Sequence, residues 1–113
     1  PETSVREAIS AHQSLGIAWQ AKDLSAAKKA IYGGFQVLDG GVASAQYNHA
    51  MLSAGAGQWV LDAVAKLKAE STNTRLVGDT AIISGSDGMK LAYRIAGGVW
   101  RLSALWRPTA PQP

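Results

Sequence analysis

The feature that most constrains this chain is a pair of glycines, Gly97-Gly98, between two runs of β-favouring residues near the C-terminus. A two-residue hairpin turn of the mirror-image kind needs positive φ at both central residues, and glycine adopts that conformation at little cost. We therefore predict an antiparallel hairpin whose strands cover 89–96 and 99–107. A second turn at Gly78-Asp79 predicts two further strands, 72–77 and 80–84.

The last predicted strand has one apolar face. Alternation along it puts apolar side chains on one side and mostly polar ones on the other: Trp100, Leu102, Ala104 and Trp106 against Arg101, Ser103, Leu105 and Arg107. A sheet with such a face needs a cover, and the first half of the chain supplies helices for it. We expect Arg94, Arg101 and Arg107 to point outward.

Helical periodicity dominates the first thirty residues. The first predicted helix begins at a capping box formed by Ser4 and Glu7, and a second, shorter helix follows with Asp23 as its N-cap and Gly33-Gly34 at its end. Side chains on the inner stripe of the first helix recur every three or four residues: Val5, Ala8, Ile9, His12, Leu15 and Trp19.

The middle of the chain gives mixed signals. A short strand, 35–39, is predicted before Gly40-Gly41, and Ser44 begins a third helix through about Ala54. The stretch from Trp59 to Glu70 fits a helix by its spacing and by propensity, yet its alternating pattern also suits a half-buried strand. Periodicity alone leaves both alternatives open.

Composition restricts the classes of function. With 113 residues, 47% of them hydrophobic and 17% charged, the chain is predicted to form one globular domain over 1–113, with a frayed tail over 108–113. The eleven basic residues are scattered, so the net charge of +3 does not indicate a nucleic-acid partner. Cysteine is absent, which excludes thiol nucleophiles and thiolate metal sites.

The sequence gives little indication of where in the cell the protein acts. No run approaches the roughly 20 apolar residues of a membrane span, so no membrane partner is predicted. Because the chain starts at Pro1 rather than methionine, we expect that upstream residues were removed. A cytoplasmic protein and an exported protein that lost a signal peptide both fit this start.

Four short segments, in their order and spacing, resemble the nuclear transport factor 2-like superfamily, and within it the SnoaL-like and ketosteroid-isomerase-like small domains. They are Trp19–Asp23, Val37–Gly41, Val77–Ala81 followed by Gly85, and Gly98–Leu102. The resemblance covers nearly the whole chain. It implies an α+β fold in which a cone-shaped, curved antiparallel sheet of about five strands wraps on three N-terminal helices around an apolar pocket. It also favours a strand over 59–70 and a homodimer formed through the sheet.

Asp39 is the first candidate for chemistry. The resemblance places the general base of ketosteroid isomerases here, and a carboxylate at the edge of an apolar cavity is suited to moving protons. Alternatively, Asp39 only caps the Gly40-Gly41 turn. The isomerase pattern is incomplete, because Leu15 lies near where a tyrosine is expected and the segment 89–96 contains no acid. A steroid-isomerase mechanism therefore lacks its oxyanion-binding groups.

Histidines and aromatic residues complete the candidate site. His12, on the apolar stripe, either pairs with Asp39 for acid–base chemistry or is a hydrogen-bonded core residue. The side chains predicted to bind a ligand are Trp19, Tyr47, His49, Trp59, Tyr93 and Trp106, the last near the cavity mouth with Tyr93 and Tyr47. Because the histidines and carboxylates lack metal-ligand spacing, no metal and no other cofactor is predicted.

Together these residues predict a domain that binds a small apolar or aromatic molecule in an internal pocket, without a complete catalytic set. Two alternatives stay open. One is an isomerase, lyase or hydrolase that uses Asp39 with His12 on a small hydrophobic substrate. The other is a dimerisation or scaffold module.

Overall fold

The computed structural model describes residues 2–40, 42–46 and 58–108. Helices and strands follow one another as α1 (Glu2–Gln20), α2 (Leu24–Lys29), β1 (Ile31–Asp39), β2 (Val42–Gln46), α3 (Gln58–Lys66), β3 (Thr74–Val77), β4 (Thr80–Ser84), β5 (Lys90–Ala96) and β6 (Val99–Arg107). None of these helices combines the length and apolarity needed to cross a bilayer.

All six strands form one curved, unclosed sheet in the order β2-β1-β6-β5-β4-β3. Neighbouring strands are antiparallel except β1 and β6, which run parallel and join the first two strands to the last four. The predicted α+β class with helices before a curved sheet is confirmed. The sheet has one strand more than expected, and it contains one parallel pair.

The first helix is longer than predicted, and its inner stripe is confirmed. Ala8, His12 and Leu15 are buried, as the three- and four-residue spacing requires. The capping box is wrong, because α1 begins at Glu2 and Ser4 lies inside the helix. At Gly16 the backbone of α3 comes close: a Cβ there would lie 3.7 Å from Ala65 Cα. A small residue at this point lets the two helices pack.

The second helix begins as predicted and ends earlier. Asp23 Oδ1 accepts a hydrogen bond from the Ala26 amide at 3.1 Å, which confirms the N-cap. The predicted end at Gly33-Gly34 is wrong, because α2 stops at Lys29 and β1 is already extended at Ile31. The cause is a contact with a distant strand. The Leu102 amide of β6 donates to the Ala30 carbonyl at 2.8 Å, so the chain pairs with β6 from this point.

Two predictions in the middle of the chain are corrected. The strand that the resemblance favoured over 59–70 is wrong, because α3 occupies most of it and buries Val60, Leu61 and Val64 towards α1. Local helix propensity was the better guide there. The helix predicted from Ser44 is also wrong at its start, because β2 pairs with β1 through residues 42–46. Its remainder, 47–54, lies outside the described residues.

The hairpin between β5 and β6 is confirmed. Gly97 and Gly98 have φ of +59° and +78°, as the mirror-image turn demands, and Gly78 has φ of +63° in the turn between β3 and β4. Beyond the hairpin turn the two strands pair in register from Ala96 opposite Val99 to Tyr93 opposite Leu102.

A bulge in β6 then changes which side chains face the core. Ala92 pairs with Ala104, so Ser103 is one extra residue in β6, and its hydroxyl donates to the Ala92 carbonyl at 3.1 Å. The bulge shifts the alternation by one residue. Leu105 is therefore buried and Trp106 lies on the outer face, whereas strict alternation predicted the reverse.

The core lies between the inner face of the sheet and the helices. Its largest fully buried side chains are Tyr93, Phe35, Leu15, Ile83, Leu91, Leu102, Leu105, Val37, Val60 and Val64. Both helical and strand residues contribute to it, so the two layers share one core.

Candidate functional site

An ion pair joins the C-terminal ends of the parallel strands β1 and β6. Asp39 and Arg107 are register partners in the parallel β1–β6 pair, and the bulge in β6 turns Arg107 towards Asp39. Arg107 Nε donates to Asp39 Oδ1, and Nη2 donates to Oδ2 at 3.3 Å. The side chains of Asp39 and Arg107 are only 16% and 21% exposed. A two-point contact of this kind fixes the orientation of both groups.

Trp59 completes a three-residue cluster with this pair. The Arg107 guanidinium carbon lies 4.4 Å from the centroid of the indole ring of Trp59, near the start of α3. A guanidinium over an indole face is stabilised by the ring quadrupole. The expectation that Arg107 points outward is wrong, and Arg107 is the site residue that the sequence analysis missed. Its position depends on the bulge and on the parallel strand pair, which no local pattern indicates.

A groove opens along α3 with Trp59 at its wall. Its volume is about 640 Å³, and it runs between α3, the segment after α3 and the turn at 85–87. Leu67, Met89 and Ala63 give it apolar surface, while Asp62 and Lys66 are polar groups on its helical side. Trp59 thus contacts Arg107 and lines the groove.

His12 is buried in the core, with an exposed fraction of 3%. Its Nε2 lies 2.5 Å from the Leu67 carbonyl oxygen and its Nδ1 lies 2.8 Å from Tyr93 Oη. A carbonyl can only accept, so Nε2 carries the proton and Nδ1 accepts from the Tyr93 hydroxyl. Burial lowers the pKa of His12, and the hydrogen bond to Leu67 opposes this in part. Burial also disfavours the charged form of Tyr93 and so raises the pKa of its hydroxyl. Both groups are therefore neutral at physiological pH.

Comparison with solved structures identifies the architecture. A protein of unknown function from Shewanella oneidensis MR-1, described as NTF-2 like, superposes with a TM-score of 0.60 at 14% identity over 89% of this chain and 95% of its own. The chain has the nuclear transport factor 2-like fold. A provisionally assigned ketosteroid isomerase from Shewanella frigidimarina NCIMB 400 gives a TM-score of 0.55 at 15% identity, over 88% of this chain and 93% of its own. No protein-family model and no curated protein matches the sequence.

Within this NTF2-like fold, the predicted site residues are distributed over several places. Asp39 lies at the end of β1 as expected, but both ring nitrogens of His12 are bonded to other groups, so the two are not hydrogen-bonded to each other. Tyr93 is wholly buried beside His12, and Trp106 is on the outer face of the sheet.

Two further predicted residues flank α3. Trp19 donates from Nε1 to Asp62 Oδ1 at 2.8 Å and lines a separate groove between α1 and α3. Trp59 is the predicted aromatic residue that the structure brings to the Asp39–Arg107 pair. Tyr47 and His49 lie outside the described residues. Among residues 2–40, 42–46 and 58–108, no three histidine or carboxylate side chains come together in a way that could hold a metal ion.

Proposed function

We propose that this NTF2-like domain binds a small molecule that carries an apolar or aromatic ring, and that the ring lies in the groove beside Trp59. The observation that carries the proposal is the groove itself, whose volume of about 640 Å³ lies within the range of roughly 300–1,000 Å³ typical of ligand sites. One wall of the groove is the indole ring of Trp59, which packs against the Arg107 guanidinium.

The lining favours a ring over a charged ligand. Trp59 offers aromatic surface, and Leu67 and Met89 offer aliphatic surface that adapts to different shapes. The nearby charges are of both signs: Lys66 and Lys68 stand against Asp62, Glu70 and Asp87. Mixed charges give no strong preference for an anion or a cation. They can still orient one polar substituent on an otherwise apolar molecule.

Binding is also favoured over acid–base catalysis by the partners of the two candidate groups. The carboxylate of Asp39 is engaged by Arg107 through both of its oxygens. His12 is hydrogen-bonded at both nitrogens within the core. A proton-transfer mechanism would have to break one of these arrangements first.

A thermal-shift panel tests the proposal. We expect planar hydrophobic compounds, steroid-like ketones among them, to raise the melting temperature in a saturable way, because a ligand that binds only the native state stabilises it. The Trp59→Ala variant should lose that response. The matched Trp106→Ala variant removes the same side chain from the outer face and should keep it. An unchanged response in Trp59→Ala would refute the groove as the site, and a panel without any saturable response would favour a scaffold module.

A further inference from the structure

We propose that the outer face of the sheet binds an acidic protein segment with a central hydrophobic side chain. This face is the side of the sheet turned away from the helices. Its charged residues are Arg75, Lys90, Arg94 and Arg101. Its apolar residues are Leu38, Ile82, Ala92, Ala104 and Trp106. The inference is independent of the groove beside Trp59, which lies on the helical side of the molecule.

The charge of this face has one sign. The six strands contain five basic residues and one carboxylate, Asp39. Asp39 and Arg107 neutralise each other at the strand ends. The other four basic side chains lie on the outer face, and none of the described strand residues there carries a carboxylate. An acidic ligand is the complement of such a surface.

Two of these cations are placed directly against each other. Arg94 of β5 and Arg101 of β6 are register partners across the antiparallel pair. Like charges in directly opposed positions destabilise a sheet. The compensation within the chain is partial: Asp79 lies 3.7 Å from Arg94 with both side chains about half exposed, and Arg101 Nε donates to the Lys29 carbonyl at 3.1 Å. A carboxylate from a partner would relieve the remaining repulsion.

An apolar groove lies at the centre of these cations. It has a volume of about 240 Å³ and is lined by Leu38, Ile82, Ala92, Ala104 and Trp106, with Lys90 at its edge. The bulge in β6 places Trp106 there, and the Lys90 ammonium lies 5.3 Å from the centroid of its ring. A groove of this size and polarity fits one large aliphatic or aromatic side chain.

The spacing of the cations defines the segment further. Lys90 and Arg94 are four residues apart on β5, which separates them by about 13 Å along the strand, with Ala92 of the groove between them. An extended segment with an acid, a hydrophobic residue two positions later and a second acid after two more has the same spacing. Such a segment places each acid over a cation and the hydrophobic residue over the groove.

The same contacts argue against other occupants. Each of the two aromatic rings already has a cation beside it: Lys90 lies by Trp106, and the Arg94 guanidinium carbon lies 5.7 Å from the Tyr32 centroid. A stacking base would have to displace these cations. A second copy of this chain would bring the same four cations against themselves, which is costly.

A peptide-binding measurement tests the inference. The probe is a fluorescently labelled peptide with two glutamates on each side of an Ala-Leu-Ala centre. Its binding is measured by fluorescence anisotropy. We expect it to bind, to weaken as salt is added, and to lose about tenfold or more in affinity in the Arg94→Gln/Arg101→Gln variant. The matched Arg6→Gln/Lys22→Gln variant loses the same net charge from the helical layer and should bind normally. Both variants change exposed or half-exposed side chains, and their melting curves verify folding.

Several outcomes would overturn the inference. Equal loss in the two variants would mean attraction by net charge alone. Tighter binding of oligouridylate RNA or of phosphatidylserine vesicles than of the peptide would assign the face to nucleic acid or to a membrane. A light-scattering mass of twice 11.8 kDa that falls to the monomer value in the Arg94→Gln/Arg101→Gln variant would assign it to a second copy. Absence of peptide binding at low salt would also contradict it.

Discussion

A single histidine on an apolar helical stripe turns out to be a structural residue with two partners. His12 connects α1 to the segment after α3 through the Leu67 carbonyl and to β5 through the Tyr93 hydroxyl. Its position on the stripe was predictable from spacing, and one of its two interpreted roles, a hydrogen-bonded core residue, matches its contacts. Its partners were not predictable, because they come from residues 55 and 81 positions away in the chain.

His12 predicts how stability depends on pH. Its pKa is below the ordinary value of 6.5 in the folded state, so below that pH the unfolded chain binds more protons than the folded one. Above pH 6.5 His12 should therefore leave the free energy of unfolding unchanged. Below pH 6.5 the free energy of unfolding should fall by up to about 1.4 kcal/mol per pH unit, until the folded imidazole is also protonated. Urea unfolding between pH 8 and 5 measures this. In the His12→Gln variant the free energy of unfolding should depend less steeply on pH. An equally steep dependence in that variant would show that His12 does not cause it.

The Asp39–Arg107 pair predicts a measurable coupling energy. A double-mutant cycle with Asp39→Asn and Arg107→Gln should give about 1–3 kcal/mol, because both groups are mostly buried and bonded at two points. The same cycle with Asp79→Asn and Arg94→Gln is the control and should give less than about 1 kcal/mol, because that pair is exposed. Equal coupling in the two cycles would contradict the geometry described for Asp39.

At the scale of elements, local signals predicted what local interactions decide. The Gly97-Gly98 turn, the stripe of α1 and the Asp23 cap are each set by residues within a few positions, and all three were predicted from the sequence. The bulge at Ser103 and the early start of β1 depend on pairing between distant strands, and they were missed. The resemblance to a family predicted the fold correctly, but it misled over residues 59–70, where propensity favoured the helix.

The hairpin turn gives a prediction with an internal control. Gly97→Ala should destabilise the domain by about 1–2 kcal/mol, because alanine at φ of +59° is strained even though the space around it is open. Gly33→Ala, in β1, also has open space and lacks a positive φ, so we expect little change there. Thermal unfolding of the two variants compares them. Similar losses at both positions would mean that the turn type is not the source of the effect.

At the scale of the whole molecule, the two layers present two different surfaces. The helical side carries the Asp39–Arg107–Trp59 cluster and the groove for a small molecule, while the outer side of the sheet carries the cations and Trp106. The bulge in β6 connects the two, because it turns Trp106 outward and Arg107 towards Asp39 together. The homodimer suggested by the resemblance stays a prediction that competes with the acidic segment for the same outer face, and the light-scattering comparison of the Arg94→Gln/Arg101→Gln variant separates the two.

The most direct test of the account is a ligand titration followed through the four tryptophan indole N–H signals in a nitrogen–proton NMR spectrum. The compound is the tightest binder from the thermal-shift panel, and single Trp→Phe variants assign each signal. We expect the Trp59 signal to shift most and to saturate, while the Trp106 signal on the outer face stays in place. A saturable shift of Trp106 or Trp100 with Trp59 unmoved would contradict the assignment of the groove beside Trp59 as the binding site.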